Sequence, residues 1–266
     1  EIASSGLWIY REHWKECAYV NFLHNRPNFL RDSQHVRSHY MPAYAFIGIY
    51  APCEEGFYNP FPDRDNLGFY GTVERYAAFN PGYQFGQISM IGMSSPQWQA
   101  PLFIRDTRNM MMLAFLHDQD VGSFGKRDLW TVCRLRAARN LFTPWEKATT
   151  FTGYWKSKEF VKSDAKDLLI SYYRKPGGLL MILGNTAMTP VTATVEPSWK
   201  DLALDPGQVK VFNPETGDAV PLKGRGFTVT VPARDLRLVL AGEGQSYLPK
   251  RADLSGALLK PGRIMA

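Results

Sequence analysis

Between residues 167 and 242 the apolar residues come in short runs, each closed by turn formers. The runs are "DLLISYYR" (167–174), "GLLMILGN" (178–185), "VTATVEP" (191–197), "QVKVFNP" (208–214), "FTVTVP" (227–232) and "DLRLVLAG" (235–242). Several alternate apolar with polar at period two, as a strand with one buried face does. "KPGG", "DPGQ", "NPETGD" and "KGRG" separate them and supply the glycine and proline of tight turns. This pattern predicts an all-β antiparallel sandwich over 151–246, followed by a polar tail at 247–266.

Residues 1–150 follow a different pattern, in which apolar runs of strand length alternate with helical periods. "GLWIY" (6–10), "AYAFIGIY" (43–50) and "QISMIGM" (87–93) read as buried strands. Helices are expected over 11–23, 27–40, 101–118 and 128–142, the third being the strongest, with one broad apolar stripe. The stretch between the second and third strands, rich in Pro, Asn, Asp and Gly, is expected to be shaped by turns rather than by regular structure. Strand and helix in alternation make an α/β layer, here a partial or reduced (β/α) barrel. A full eight-stranded barrel needs about 250 residues. The chain opens on Glu1 rather than an initiator Met, so a segment or partner chain that completes the barrel is expected.

Composition narrows the classes. The 266 residues are 45% hydrophobic, 21% charged and 14% aromatic, which suits a folded chain with either a ring-rich core or a ring-lined site. Three scattered cysteines, Cys17, Cys53 and Cys133, form neither a disulfide framework nor a zinc pattern. No run of about 18 apolar residues exists to span a bilayer, and no signal peptide is visible. The net charge of +6 comes mostly from residues 151–266, with 16 Lys/Arg against 11 Asp/Glu. That excess includes Lys156, Lys158, Lys162 and Lys166 but is otherwise scattered, so no nucleic-acid partner is expected.

Candidate chemistry gathers at predicted strand ends, where α/β barrels place their sites. Glu54 and Glu55 follow the run 43–50 within "IYAPCEEGFYNPF". Successive residues of an extended chain face opposite ways, so one of the two would face a site and the other solvent. Glycoside hydrolysis needs a carboxylic acid of raised pKa and a second carboxylate. Asp118 in "FLHDQD", with Asp120 behind it, is the candidate second group; a turn is the plainer reading. Asp at a helix C-terminus opposes the helix dipole, so another group is expected to hold it. Tyr58, Phe61, Tyr70 and Trp98 would stack sugars or pack the rim, and His24 joins them as a substrate-binding candidate. His35 and His39 stand four apart, yet Val36 follows the first where a zinc protease has Glu, so no metal is expected. No phosphate loop, dinucleotide fingerprint or serine elbow occurs, and no cofactor is expected.

The segments "GLWIY", "YAPCEEGF", "AFLHDQDV" and "LLISYYRKPGGLLMILGN" resemble a group of bacterial glycoside-hydrolase-like proteins related to the β-N-acetylgalactosaminidase family. The resemblance extends over residues 5–240 and is clearest in the sandwich. It implies a barrel followed by a sandwich and a carbohydrate substrate. It also matches Glu54 to the family's Gly-Glu glutamate and Asp118 to its His-Asp aspartate. Two positions depart from it: Tyr10 stands where the family's first strand ends in Asp, and Cys53 replaces the glycine before Glu54. Three readings stay open: a glycoside hydrolase, a non-catalytic carbohydrate-binding or assembly relative, and a polyanion enzyme using the basic half. A secreted, periplasmic or cell-surface location is expected ahead of a cytoplasmic one.

Overall fold

A computed structural model describes residues 33–34, 49–50, 72–79, 88–93, 104–123, 129–144 and 146–243. Two short strands, β1 (Ser33–Gln34) and β2 (Ile49–Tyr50), precede helix α1 (Val73–Phe79) and strand β3 (Ile88–Met93). Helix α2 (Ile104–Leu116), strand β4 (Asp120–Ser123) and helix α3 (Leu129–Asn140) follow. The four strands lie in the order β1-β2-β3-β4, all parallel, with Ile49 beside Ile88 and Met90 beside Asp120.

From residue 150 the chain is antiparallel. Its first elements are β5 (Thr150–Thr152), the one-turn helix α4 (Tyr154–Ser157), β6 (Val161–Ser163), β7 (Leu168–Lys175) and β8 (Gly178–Asn185). Then come β9 (Val191–Pro197), β10 (Val209–Phe212), β11 (Leu222–Lys223), β12 (Gly226–Val231) and β13 (Leu236–Glu243). They form a five-stranded sheet, β10-β13-β8-β7-β5, and a four-stranded sheet, β11-β12-β9-β6. Among the described residues antiparallel strands predominate and helices are few.

Two cores share the five-stranded sheet. Leu179, Met181, Leu183, Val239 and Ala241 pack toward the four-stranded sheet with Val195, Val231 and Phe227. Their neighbours one position along, Leu180, Ile182, Leu236, Leu238 and Leu240, pack with α2 and α3. The period of two thus serves both faces, and β8 is buried at every position. A strand covered on both sides has no polar face to show, which explains the unbroken apolar run of "GLLMILGN".

Helix α2 is likewise covered from Thr107 to Leu116, where only Arg108 is partly exposed. It touches β3, β4, α3, β7, β8 and β13, and Met110 to Leu116 are all buried. The expected single stripe is therefore a girdle, because a helix between two sheets has no solvent face. Gly184 on β8 lets it approach: a Cβ there would stand 2.6 Å from Leu116 Cδ1 and 3.0 Å from Met112 Cγ. Gly184→Val is expected to lower stability by about 1–3 kcal/mol through overpacking, read from the urea midpoint.

Two expectations are corrected. The helix over 27–40 is not formed through its centre, where Ser33 and Gln34 are extended and pair in parallel with Ile49 and Tyr50. Asn28, Asp32 and Ser33 are poor helix formers, and pairing with β2 outweighs a weak apolar stripe. The long connection between β2 and β3 is not made of turns alone, since it contains α1. Thr72 Oγ1 accepts the Arg75 N–H at 3.1 Å, an N-cap, and Glu74 sits in the first turn. The expected elements at 6–10, 11–23 and 43–48 and the tail at 247–266 lie outside the described residues.

Candidate functional site

The segment His117-Asp118-Gln119-Asp120 connects α2 to β4 and meets the five-stranded sheet at β7. Helix α2 ends there in a double return: Asp118 N–H donates to Phe115 O at 3.3 Å, and Gln119 N–H to Ala114 O at 2.9 Å. This closure needs a left-handed residue between them, usually glycine, and Asp118 takes it with φ 57°. Aspartate is among the few residues that accept this conformation.

Each side chain of the segment has its own partner. Asp118 Oδ1 accepts the Tyr173 hydroxyl at 2.6 Å. Gln119 Oε1 accepts the Tyr76 hydroxyl at 2.6 Å. Asp120 accepts Arg136 Nε at 2.7 Å and Arg139 Nη2 at 3.0 Å, which ties β4 to α3. His117 is fully buried, with Nδ1 2.8 Å from Leu113 O. A carbonyl only accepts, so Nδ1 carries the proton and Nε2 accepts from the Tyr154 hydroxyl at 3.4 Å. The rings of Tyr76, Tyr154 and Trp155 surround the imidazole at 4.7, 5.4 and 5.8 Å. Ser171 finishes the seam: its Oγ donates to Leu116 O at 2.7 Å and accepts Tyr154 N–H at 2.9 Å.

Burial sets the protonation states. It pushes the His117 pKa down to about 4, against the backbone bond to Leu113, so the ring is neutral at pH 7. It pushes the Asp118 carboxyl up to about 6, while the Tyr173 bond and the Arg139 charge pull the other way. Burial and the neighbouring Asp118 hold the Tyr173 hydroxyl well above its ordinary range, so it remains a donor. A carboxyl near 6 has the proton affinity of a general acid. Its position is another matter. Asp118 precedes β4, at the N-terminal edge of the parallel strands. Chemistry on such sheets is built at their C-terminal edge, the edge that Tyr50 closes in β2.

Of the candidates read from the sequence, the structure places Asp118 and Asp120 in one segment, where Asp118 accepts from Tyr173 and Asp120 pairs with Arg136 and Arg139, whose charge also reaches Asp118. Glu54, Glu55, His24, Tyr58, Phe61, Tyr70 and Trp98 lie outside the described residues. His117, Tyr173 and Tyr154 do not stand out in the sequence; "LHD" points to the segment, but no local pattern pairs it with a tyrosine 55 residues on. Among the described residues no three His, Cys, Asp or Glu side chains converge as metal ligands, and no helix is long and apolar enough to cross a membrane.

The seam joins helices that follow parallel strands to the antiparallel sheets. Residues 139–222 match the family model of the glycoside hydrolase 123 C-terminal domain. Two solved structures share the fold, both of a GH27 β-L-arabinopyranosidase from Geobacillus stearothermophilus. A variant in complex with arabinose is 14% identical, with 88% of this chain and 55% of that chain covered and a TM-score of 0.55. The wild-type enzyme is 14% identical, with coverages of 87% and 54% and a TM-score of 0.56. The chain thus spans about half the length of the structures it matches. No curated protein matches it. The chain is glycoside-hydrolase-like, by the domain match and by fold.

Proposed function

We propose that the chain is the C-terminal part of a glycoside hydrolase, in which β1 to β4 belong to a (β/α) barrel and the antiparallel sheets form its accessory sandwich. The observation that carries this reading is the match of residues 139–222 to a glycoside hydrolase domain, directly behind a sheet whose strands run parallel in sequence order. In this reading Glu54 is the acid or nucleophile, because it follows the C-terminal end of β2, and Glu55 is its alternate. Tyr58, Phe61, Tyr70, Trp98 and His24 line the sugar path. Asp118 acts at one remove: bound to Tyr173 at the opposite edge, it fixes the barrel helix against the sandwich. A substrate carrying an N-acetylhexosamine fits the resemblance of the "EE" and "HD" segments to the β-N-acetylgalactosaminidase group.

The test is Glu54→Gln in the protein that carries this chain, assayed on a panel of p-nitrophenyl glycosides that includes N-acetyl-β-galactosaminide. Turnover is expected to fall below about a hundredth, the lower end for losing a general acid. Unchanged turnover would remove Glu54 from the chemistry.

A second reading, a carbohydrate-binding protein without turnover, is favoured by Tyr10 in place of an acid. It expects binding on a glycan array while every glycoside in the panel stays intact.

A further inference from the structure

A cavity of about 340 Å³ opens at the corner where the chain passes from β6 in one antiparallel sheet to β7 in the other. One continuous segment, 154–170, builds it. Helix α4 ends at Ser157, and Lys158 caps it. Strand β6 is the edge of its sheet, and its alternation turns Val161 inward and Lys162 outward. A tight turn follows, with Ala165 N–H donating to Ser163 Oγ at 3.1 Å, and sets Lys166 on the rim. Leu168 and Ile170 of β7 line the cavity, and Tyr154 stands at its wall.

Lys158, Lys162 and Lys166 are all exposed and all line this one hollow. Among the described residues no carboxylate lines it, although Glu159, Asp164 and Asp167 lie in the same segment. Asp164 is occupied elsewhere, its Oδ1 accepting the Thr194 N–H at 2.9 Å. One lysine on an edge strand would only discourage pairing with another chain. Three around a bounded hollow make a positive focus above an apolar floor. The volume is at the lower end of small-ligand sites, about 300–1,000 Å³. A nucleic acid would instead need a stripe of cations along an extended track.

We propose that this hollow binds an anionic sugar, its carboxylate or sulfate held among Lys158, Lys162 and Lys166 and its ring set against Leu168, Ile170 and Tyr154. That the anion is carried on a sugar rests on the glycoside-hydrolase-like reading; that the hollow takes an anion does not. The hollow is built by residues 154–170 alone, and binding there needs no turnover.

Calorimetric titration of the protein tests it with three disaccharides: unsulfated chondroitin, chondroitin 4-sulfate and neutral diacetylchitobiose. The anionic pair are expected to bind and the neutral one not, with affinity falling as salt rises. Binding by both locates recognition at the carboxylate, and binding by the sulfated form alone at the sulfate ester. The triple variant K158A/K162A/K166A is expected to lose at least about tenfold in affinity with an unchanged melting temperature, and K162R to retain it. Equal binding of the neutral disaccharide, no loss in the triple variant, or binding of inorganic sulfate as tight as that of the sulfated sugar overturns the proposal. So does tighter binding of a short DNA duplex through the same lysines. Retained binding in a Glu54→Gln protein whose turnover is unaffected leaves the hollow standing and removes only the catalytic reading.

Discussion

Arg108→Ala is expected to destabilise the protein by about 3–5 kcal/mol, the range for breaking one side of a buried ion pair. Arg108 projects from α2 to residues before and at the start of β13 and to the connection after β10. Its Nε donates to Asp235 Oδ1 and Oδ2 at 2.8 and 3.0 Å, its Nη1 to Glu215 Oε2 at 2.9 Å, and its Nη2 to Leu236 O at 3.0 Å. Side-chain exposure is 14% for Arg108, 3% for Glu215 and 15% for Asp235, so solvent does little to screen the group. Burial alone would lower the arginine pKa, but Glu215 and Asp235 outweigh it and hold it above the ordinary value. Alanine leaves the Glu215 carboxylate inside without a counter-charge, and the main cost arises there. Pairing Arg108→Met with Glu215→Gln is expected to recover part of the loss, since it removes charge from both sides. Urea midpoints of the two variants check this. A loss below about 1 kcal/mol in the single variant would mean that the pair behaves as a surface contact.

Asp118→Asn is expected to make the protein acid-sensitive, through a balance between two adjacent residues. The folded His117 pKa, about 4, lies below its ordinary 6.5. Its contribution is therefore present above 6.5 and is lost as pH falls toward 4, because the unfolded chain takes up the proton first. Asp118 acts in the opposite sense: its folded pKa, about 6, lies above the ordinary 3.8. The folded state takes up that proton first, so stability gained by acidification through 6 offsets the loss at His117. Asparagine keeps the left-handed backbone and the acceptor for Tyr173 but cannot titrate. Between pH 7 and 4 the variant is expected to lose about 2 kcal/mol more than the wild type, since each tenfold difference in proton affinity between folded and unfolded chains is worth roughly 1.36 kcal/mol and the unfolded carboxyl already takes up part of its proton by pH 4. Chemical denaturation at several pH values measures it, and parallel curves for the two proteins would sink the idea.

The antiparallel half is legible because local chemistry and tertiary structure ask for the same residues there. Gly177, Gly217 and Gly224 adopt φ of 73°, 77° and 63°, so "KPGG", "NPETGD" and "KGRG" mark turns that other residues enter at a cost. Strands β5 and β6 are not legible, because three residues are too few to display a period. Helix α1 is not legible although Thr72 and Glu74 signal its start, because proline, asparagine, aspartate and glycine recur on both sides of it. Asp118 is legible as a residue needing a partner, since an acid at a helix C-terminus is disfavoured. Its partner is not: Tyr172 and Tyr173 are adjacent, and only the sheet decides that Tyr173 faces the helices and Tyr172 the other sheet. That Asp118 lies at the opposite strand edge from the one where Glu54 is expected follows from strand order, which no local pattern carries.

Strand β8 has a consequence for inheritance as well as for packing. The stretch that matches a known family ends at residue 222, before β12 and β13, and begins inside α3. Leu180 and Ile182 belong to that stretch, yet the α2 side chains that cover them do not. The matched stretch is therefore smaller than the packed unit to which it belongs. A gene fusion that transplanted the sandwich alone would carry an oily face into water, and one that kept α2 would bring its own cover.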